Sequence, residues 1–252
     1  MKNKILPLLT CFLAFCFFQN VKAEPNYAYK IYTPQNFSDI SKNVASAKSS
    51  EQIIFIVDFS NSMNDTIMGK SKLEMARNTL AQILPKIPPD VKVGLRIYGH
   101  KAGFTYLQGC QASTLTVPLG VNNYQNIMAS LYSSNATGWT PITYSLKQAV
   151  NSDFIGVSGK KHIILLTDGG ENCDESPCTY VINLMKTRDD VKIDVIALDV
   201  HDIEANNQLK CTALMTSGKF LTADSEDGLL NSLFETTGVT KDVRGSIIIP
   251  QE

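Results

Sequence analysis

Histidine is scarce in this 252-residue chain, with three in all: His100, His162 and His201. No G-x-S-x-G turn stands beside any of them, so a nucleophile-elbow hydrolase finds no support. A glycine-rich first turn is also missing. Asp58, Phe59, Ser60, Asn61 and Ser62 stand where a dinucleotide-binding chain needs glycines to bring its backbone up to pyrophosphate. There is no basic excess, because 23 Lys and Arg face 24 Asp and Glu for a net charge of −1, which argues against a general nucleic-acid binder. Beyond the N-terminus no run approaches the roughly 18 apolar residues of a membrane-spanning helix. No cysteine pair has C-x-x-C spacing, which weakens a four-thiolate zinc site as the competitor to disulfides.

The N-terminal segment is distinct. Lys2 and Lys4 precede an apolar run over residues 5–18, broken only by Pro7 and Thr10 and too short for a bilayer span. Residues 1–23 therefore read as a cleaved export signal, and the mature chain as periplasmic or secreted, with no membrane insertion. Removing Lys2, Lys4 and Lys22 with no acid leaves the mature chain at net −4. Cys110, Cys173, Cys178 and Cys211 remain, and in an oxidising compartment they suggest two disulfides with three possible pairings. Pairing Cys173 with Cys178 closes a short loop, and elimination then joins Cys110 to Cys211.

What the rest contains is an alternation of strands and helices. Residues 24–50 show little periodicity and read as an N-terminal extension. Gln52 to Asp58 is a continuous apolar strand of the kind buried on both sheet faces. Residues 72–84 place Leu73, Ala76, Leu80, Ile83 and Leu84 at helical spacing behind a Ser71/Glu74 capping box. Strands follow at 91–98 and 114–119, then helices at 124–132 and 142–150 and a second apolar strand at 161–167. The pattern continues with helix 180–187, strand 191–198, helix 204–216, strand 219–221 and helix 226–234. This predicts an open α/β sheet with helices on both faces. No helix separates 91–98 from 114–119, so that pair is expected to be antiparallel, with one strand at an edge. The tail after 238 offers one further short strand.

In such a sheet, function gathers where strands run into loops at their C-terminal ends. Asp58, Ser60 and Ser62 follow the first strand, Asp168 follows the second apolar strand, and Thr140 sits in the Gly138-Trp139-Thr140-Pro141 loop. Singly, Thr140 before Pro141 reads as a helix cap and Asp168 before two glycines as a turn residue. Jointly they make an all-oxygen donor set, suited to magnesium, with manganese or calcium as substitutes. With neutral hydroxyls touching the ion and the aspartates acting through water, an open position would favour a carboxylate from another molecule. Phe59, Trp139 and Phe104 are candidate apolar contacts on the rim if they are exposed; as core residues they carry no such meaning. Glu171, Asp174 and Glu175 beside Asp168 add an acidic cluster that draws cations over distance.

These residues resemble the D-x-S-x-S motif of von Willebrand factor type A (VWA) domains, with Thr140 and Asp168 at that motif's threonine and aspartate positions. The resemblance covers about 50–237, giving a VWA domain at 51–238. Arg96 to His100, Gly138 to Ile142 and Asp168 to Cys173 resemble an exported bacterial branch. It implies a Rossmann-like, mostly parallel six-stranded sheet with one antiparallel strand. It also implies a metal-ion-dependent adhesion site (MIDAS) with direct ligation by the serines and threonine, and a protein partner presenting an Asp or Glu carboxylate. The expected function is cation-dependent protein binding, with no nucleotide and no enzyme activity. The alternatives are a scaffold domain whose metal only braces the loops, and a metal-assisted hydrolase.

Overall fold

A computed structural model describes residues 52–239 except 174. The export signal, the N-terminal extension and the tail strand lie outside the described residues. Six strands form one sheet: β1 (Gln52–Asp58), β4 (Lys92–Tyr98), β5 (Ser113–Gly120), β6 (Lys161–Thr167), β7 (Val191–Leu198) and β8 (Phe220–Ala223). Their spatial order is β5-β4-β1-β6-β7-β8. All neighbours are parallel except β4 and β5, so the expected antiparallel pair lies at one edge. The Rossmann-like α/β architecture is therefore as the sequence predicts.

Side-chain alternation along the central strands explains the two layers. Ile53, Phe55 and Val57 of β1, with Ile164 and Leu166 of β6, face one core. That core is closed by α1 (Lys72–Ile83), α3 (Tyr124–Ser133) and α7 (Glu226–Thr237), through residues such as Leu80, Leu131 and Leu233. Ile54, Ile56, Ile163 and Leu165 face the other core, closed by α4 (Ile142–Gln148), α5 (Pro177–Leu184) and α6 (Ile203–Leu214). With both faces covered, β1 and β6 need apolar residues at every position, which is why their runs do not alternate.

Local chemistry sets the helix starts. Ser71, Ser176, Asp202 and Ser225 each accept the backbone N–H three residues on, capping α1, α5, α6 and α7. Helix α4 ends earlier than the periodicity suggests, at Gln148, and a π turn covers Ala149–Asp153. That turn carries Asp153 to a two-pronged pair with the buried Arg96 of β4, both bonds at 2.7 Å.

Two elements escape the sequence pattern. A two-residue hairpin joins β2 (Thr66–Ile67) to β3 (Lys70–Ser71), and a five-residue helix α2 (Tyr106–Cys110) stands between β4 and β5. The cysteine pairing also differs from expectation. Cys110 of α2 bonds Cys173, and Cys178 of α5 bonds Cys211 of α6. Cys173 and Cys178 do not meet because the chain turns into α5 at Pro177, which points Cys178 at the neighbouring helix.

Candidate metal centre

The first strand delivers Asp58 to the C-terminal edge of the sheet, fully buried and in register with Tyr98. Its carboxylate accepts three hydrogen bonds: from the Ser60 N–H at 2.6 Å, the Tyr98 hydroxyl at 2.9 Å and the Thr167 hydroxyl at 2.8 Å. A 3-10 turn over Asn61–Asn64, anchored by buried Met63, then brings Ser62 back beside Ser60. The Ser60 and Ser62 hydroxyls are 3.1 Å apart, and Ser62 donates to Asp168 Oδ1 at 2.8 Å. Four of the five expected donors therefore form one connected group: Asp58, Ser60, Ser62 and Asp168.

Thr140 is buried on the adjoining loop and is tied to this group through backbone. A bridge joins Ser60 to Gly138, Asn61 N–H donates to the Gly138 carbonyl at 3.0 Å, and Gly138 N–H donates to the Gly99 carbonyl at 2.7 Å. The crossing is so tight that a Cβ on Gly99 (φ +72°) would meet the Ser60 nitrogen at 2.6 Å. Thr140 does not cap α4, since Pro141 occupies the cap position without a side-chain bond. Glu171 does that work from the loop after β6, accepting from Thr143 N–H at 2.7 Å and from Cys173 N–H at 3.0 Å. Asn172 Oδ1 accepts the Thr140 N–H at 2.7 Å, which fixes Thr140 against the Asp168 loop.

The acidic cluster is largely engaged rather than open. Glu171 is spent on capping, Glu175 pairs with Lys147 at 2.7 Å, and Asp174 lies outside the described residues. A positive group instead sits within the site: Lys72 Nζ lies 3.2 Å from Asp168 Oδ2 and 3.4 Å from Asp199 Oδ2. Among the rim candidates, Phe59 belongs to the core beside Val57, whereas Phe104 and Trp139 are exposed. Phe59 keeps the period of β1 past its last pair, so it points inward.

Burial pushes the Asp58 carboxyl up from 3.8 to about 6, helped by the negative charge of Asp168. Burial also raises Asp168, against the opposing pull of Ser62 and Lys72. Tyr98 is driven well above its ordinary range by burial and stays a hydrogen-bond donor. The sign of the linkage follows. A carboxyl whose folded pKa is raised contributes stability that is complete below 3.8 and lost as pH climbs through about 6. Denaturant unfolding of the metal-free protein should therefore show stability falling across that window. Magnesium should restore more of it at pH 7 than at pH 5, and a flat profile would contradict the assignment to Asp58.

The donor set passes a chemical test for a hard cation: two carboxylates and three hydroxyls, with no nitrogen or sulfur among them. Among the described residues no three His, Cys, Asp or Glu side chains form a metal-holding group. Any ion here would thus depend on the neutral hydroxyls. The three histidines engage groups other than these serines. His162 lies 2.9 Å from Asp194 in the core, His100 contacts Thr114, and His201 contacts Asp199. Also among the described residues, no helix is long and apolar enough to cross a membrane.

An open α/β sheet with a carboxylate–hydroxyl group at the ends of its central strands defines a class of binding domain. The sequence profile of the von Willebrand factor type A domain matches residues 52–236, and the chain belongs to that family. It is 27% identical over 188 residues to the uncharacterized protein YwmD of Bacillus subtilis, covering 73% of this chain and 83% of that protein. Its fold is similar to the pilus adhesin SpaC of Lactobacillus rhamnosus GG, with a TM-score of 0.62, 17% identity and coverage of 75% of this chain and 30% of that one. It is also similar to proximal thread matrix protein 1 of the mussel byssus, described with a zinc-occupied MIDAS motif. That likeness has a TM-score of 0.56 and 20% identity over 80% of this chain and 51% of the other.

Trp139, the single tryptophan, neighbours Thr140 and reports on the site. Adding magnesium to the metal-free protein should change its emission, and Asp168→Ala should abolish the change. An unresponsive wild-type signal would count against ion uptake beside Thr140.

Proposed function

We propose that this chain is an exported protein-binding VWA domain, not an enzyme, which recognises an acidic side chain of a protein partner through a divalent cation. The observation that carries the reading is the unbroken link from Ser60 to Ser62 to Asp168, with Asp58 locked behind it by three donors. Ser60, Ser62 and Thr140 would hold magnesium directly, with Asp58 and Asp168 acting mainly through water; manganese or calcium are substitutes. When bound, the ion supplies a cationic docking point for a carboxylate oxygen. The chain's own contribution is to bring three hydroxyls on two loops, and the Asp168 carboxylate on a third, to one end of the sheet. Residues 1–23 as export signal and 51–238 as the domain complete the proposal, with periplasmic or secreted delivery.

A second reading is favoured by the Lys72 ammonium. With Asp168 already paired from within, part of the loops' negative charge is met without an ion, and the domain can serve as a scaffold in which an ion merely braces the loops. The two readings separate in one experiment. Proteins of the exported fraction are captured on the immobilised chain in magnesium and again in chelator, with the Ser62→Ala variant alongside. Retention lost in chelator and in the variant supports recognition through the ion. Retention unchanged by either supports the scaffold.

A further inference from the structure

We propose that the partner's acidic residue is flanked by a large apolar or aromatic side chain, and that this neighbour docks on a platform made by Phe104, Tyr106, Leu107 and Trp139. The proposal deepens the metal–carboxylate reading above and rests on it. The four side chains are 102%, 44%, 64% and 40% exposed. Scattered single apolar residues need no explanation, but four gathered on one short helix and its adjoining loops form a patch.

The patch is built, not incidental. The Tyr106 and Trp139 rings meet edge to face with centroids 5.3 Å apart. The indole lies against Gly109 of α2 so closely that a Cβ there would meet Trp139 Cδ1 at 2.2 Å. Phe104 is held at the helix entrance, where its N–H donates to Gln108 Oε1 at 3.0 Å.

The platform is also continuous with the ion-holding loops. Trp139 is the residue before Thr140. The Tyr106 hydroxyl donates to the Asn172 carbonyl at 3.4 Å, while the Asn172 side chain holds the Thr140 N–H. The Cys110–Cys173 disulfide fastens α2 to the loop that carries Asp168. Rigid aromatic groups cost little ordering entropy when they bind, which makes Trp and Tyr frequent anchors at interfaces. A peptide suits this surface better than an anionic lipid bilayer, because basic clusters draw lipid headgroups and the chain has no basic excess.

The test uses the full mature chain and fluorescent heptapeptides read by anisotropy. One peptide carries a single aspartate between two phenylalanines, a second carries it between two glycines, and a third replaces the aspartate of the first with asparagine. In magnesium, the phenylalanine-flanked acid should bind about tenfold tighter than the glycine-flanked one. That advantage should vanish in a Phe104→Ser, Leu107→Ser double variant whose Trp139 response to magnesium is intact. Equal affinities for the two acidic peptides, both lost in chelator, overturn the platform and leave the metal reading standing. A phenylalanine preference that survives both chelator and asparagine overturns the metal reading and with it the joint docking mode. No binding of either acidic peptide overturns the platform proposal.

Discussion

Lys72→Met should destabilise the metal-free protein by about 3–5 kcal/mol, the range expected when one partner of a buried ion pair is removed. Lys72 is the first residue of α1, next to the positive end of the helix dipole, where a cation is unfavourable. Its side chain is only 8% exposed, so it also loses hydration. Both costs are offset by Asp168 and by Asp199, whose backbone holds a left-handed φ of +57° that non-glycine residues seldom adopt. Methionine keeps the length and removes the charge, leaving Asp168 buried without its counter-ion. Magnesium should then recover much of the loss, so its stabilising effect should be several-fold larger in Lys72→Met than in the wild type. Unfolding in urea with and without magnesium reads both quantities. Equal stability of the two metal-free proteins would show that the ammonium does not balance this site.

The two disulfides are expected to differ in function while matching in stability. Cys110–Cys173 closes 63 residues and Cys178–Cys211 closes 33. Chain-entropy estimates give about 4 kcal/mol for loops of this size, with only a few tenths between them. Replacing either pair with serine should therefore lower the melting temperature by similar amounts. Only the Cys110/Cys173 replacement should also weaken magnesium binding, because Cys173 ends the loop in which Asp168, Glu171 and Asn172 arrange the site. The Cys178–Cys211 bond joins two helices on the far side of Pro177 and touches none of those groups. Identical magnesium affinity in both variants would show that the first crosslink only staples the fold.

Much of the architecture was legible because burial on both faces leaves an unmistakable mark. β1 and β6 could be read from their unbroken apolar runs, and α1 from Ser71 and Glu74, whose capping bond forms at 3.1 Å. The antiparallel edge followed from the missing helix between β4 and β5. Helix α2 was hidden because five residues cannot show a 3.6-residue period. The disulfide pairing was hidden because it depends on which helices become neighbours, a tertiary matter that sequence spacing does not encode. Phe59 was a rim candidate only if exposed, and the alternation through Phe55 and Val57 settles it as core.

At the candidate site, the clustering of Ser60, Ser62 and Asp168 was legible and the groups that support it were not. A tyrosine at the end of an apolar strand looks like core, yet Tyr98 turns its hydroxyl to Asp58. Lys72 was masked because a lysine at the start of an amphipathic helix ordinarily faces water. Only the fold brings Asp168 and Asp199, from the loops after β6 and β7, against it.

If separate loops hold one divalent ion through neutral hydroxyls, removing one hydroxyl should remove the ion. Isothermal calorimetry of magnesium onto the folded wild-type chain, and onto Ser60→Ala and Thr140→Ala variants of matched stability, tests it most directly. The wild type should take up one ion and neither variant should. No uptake by the wild type, or uptake that both variants retain, would contradict it.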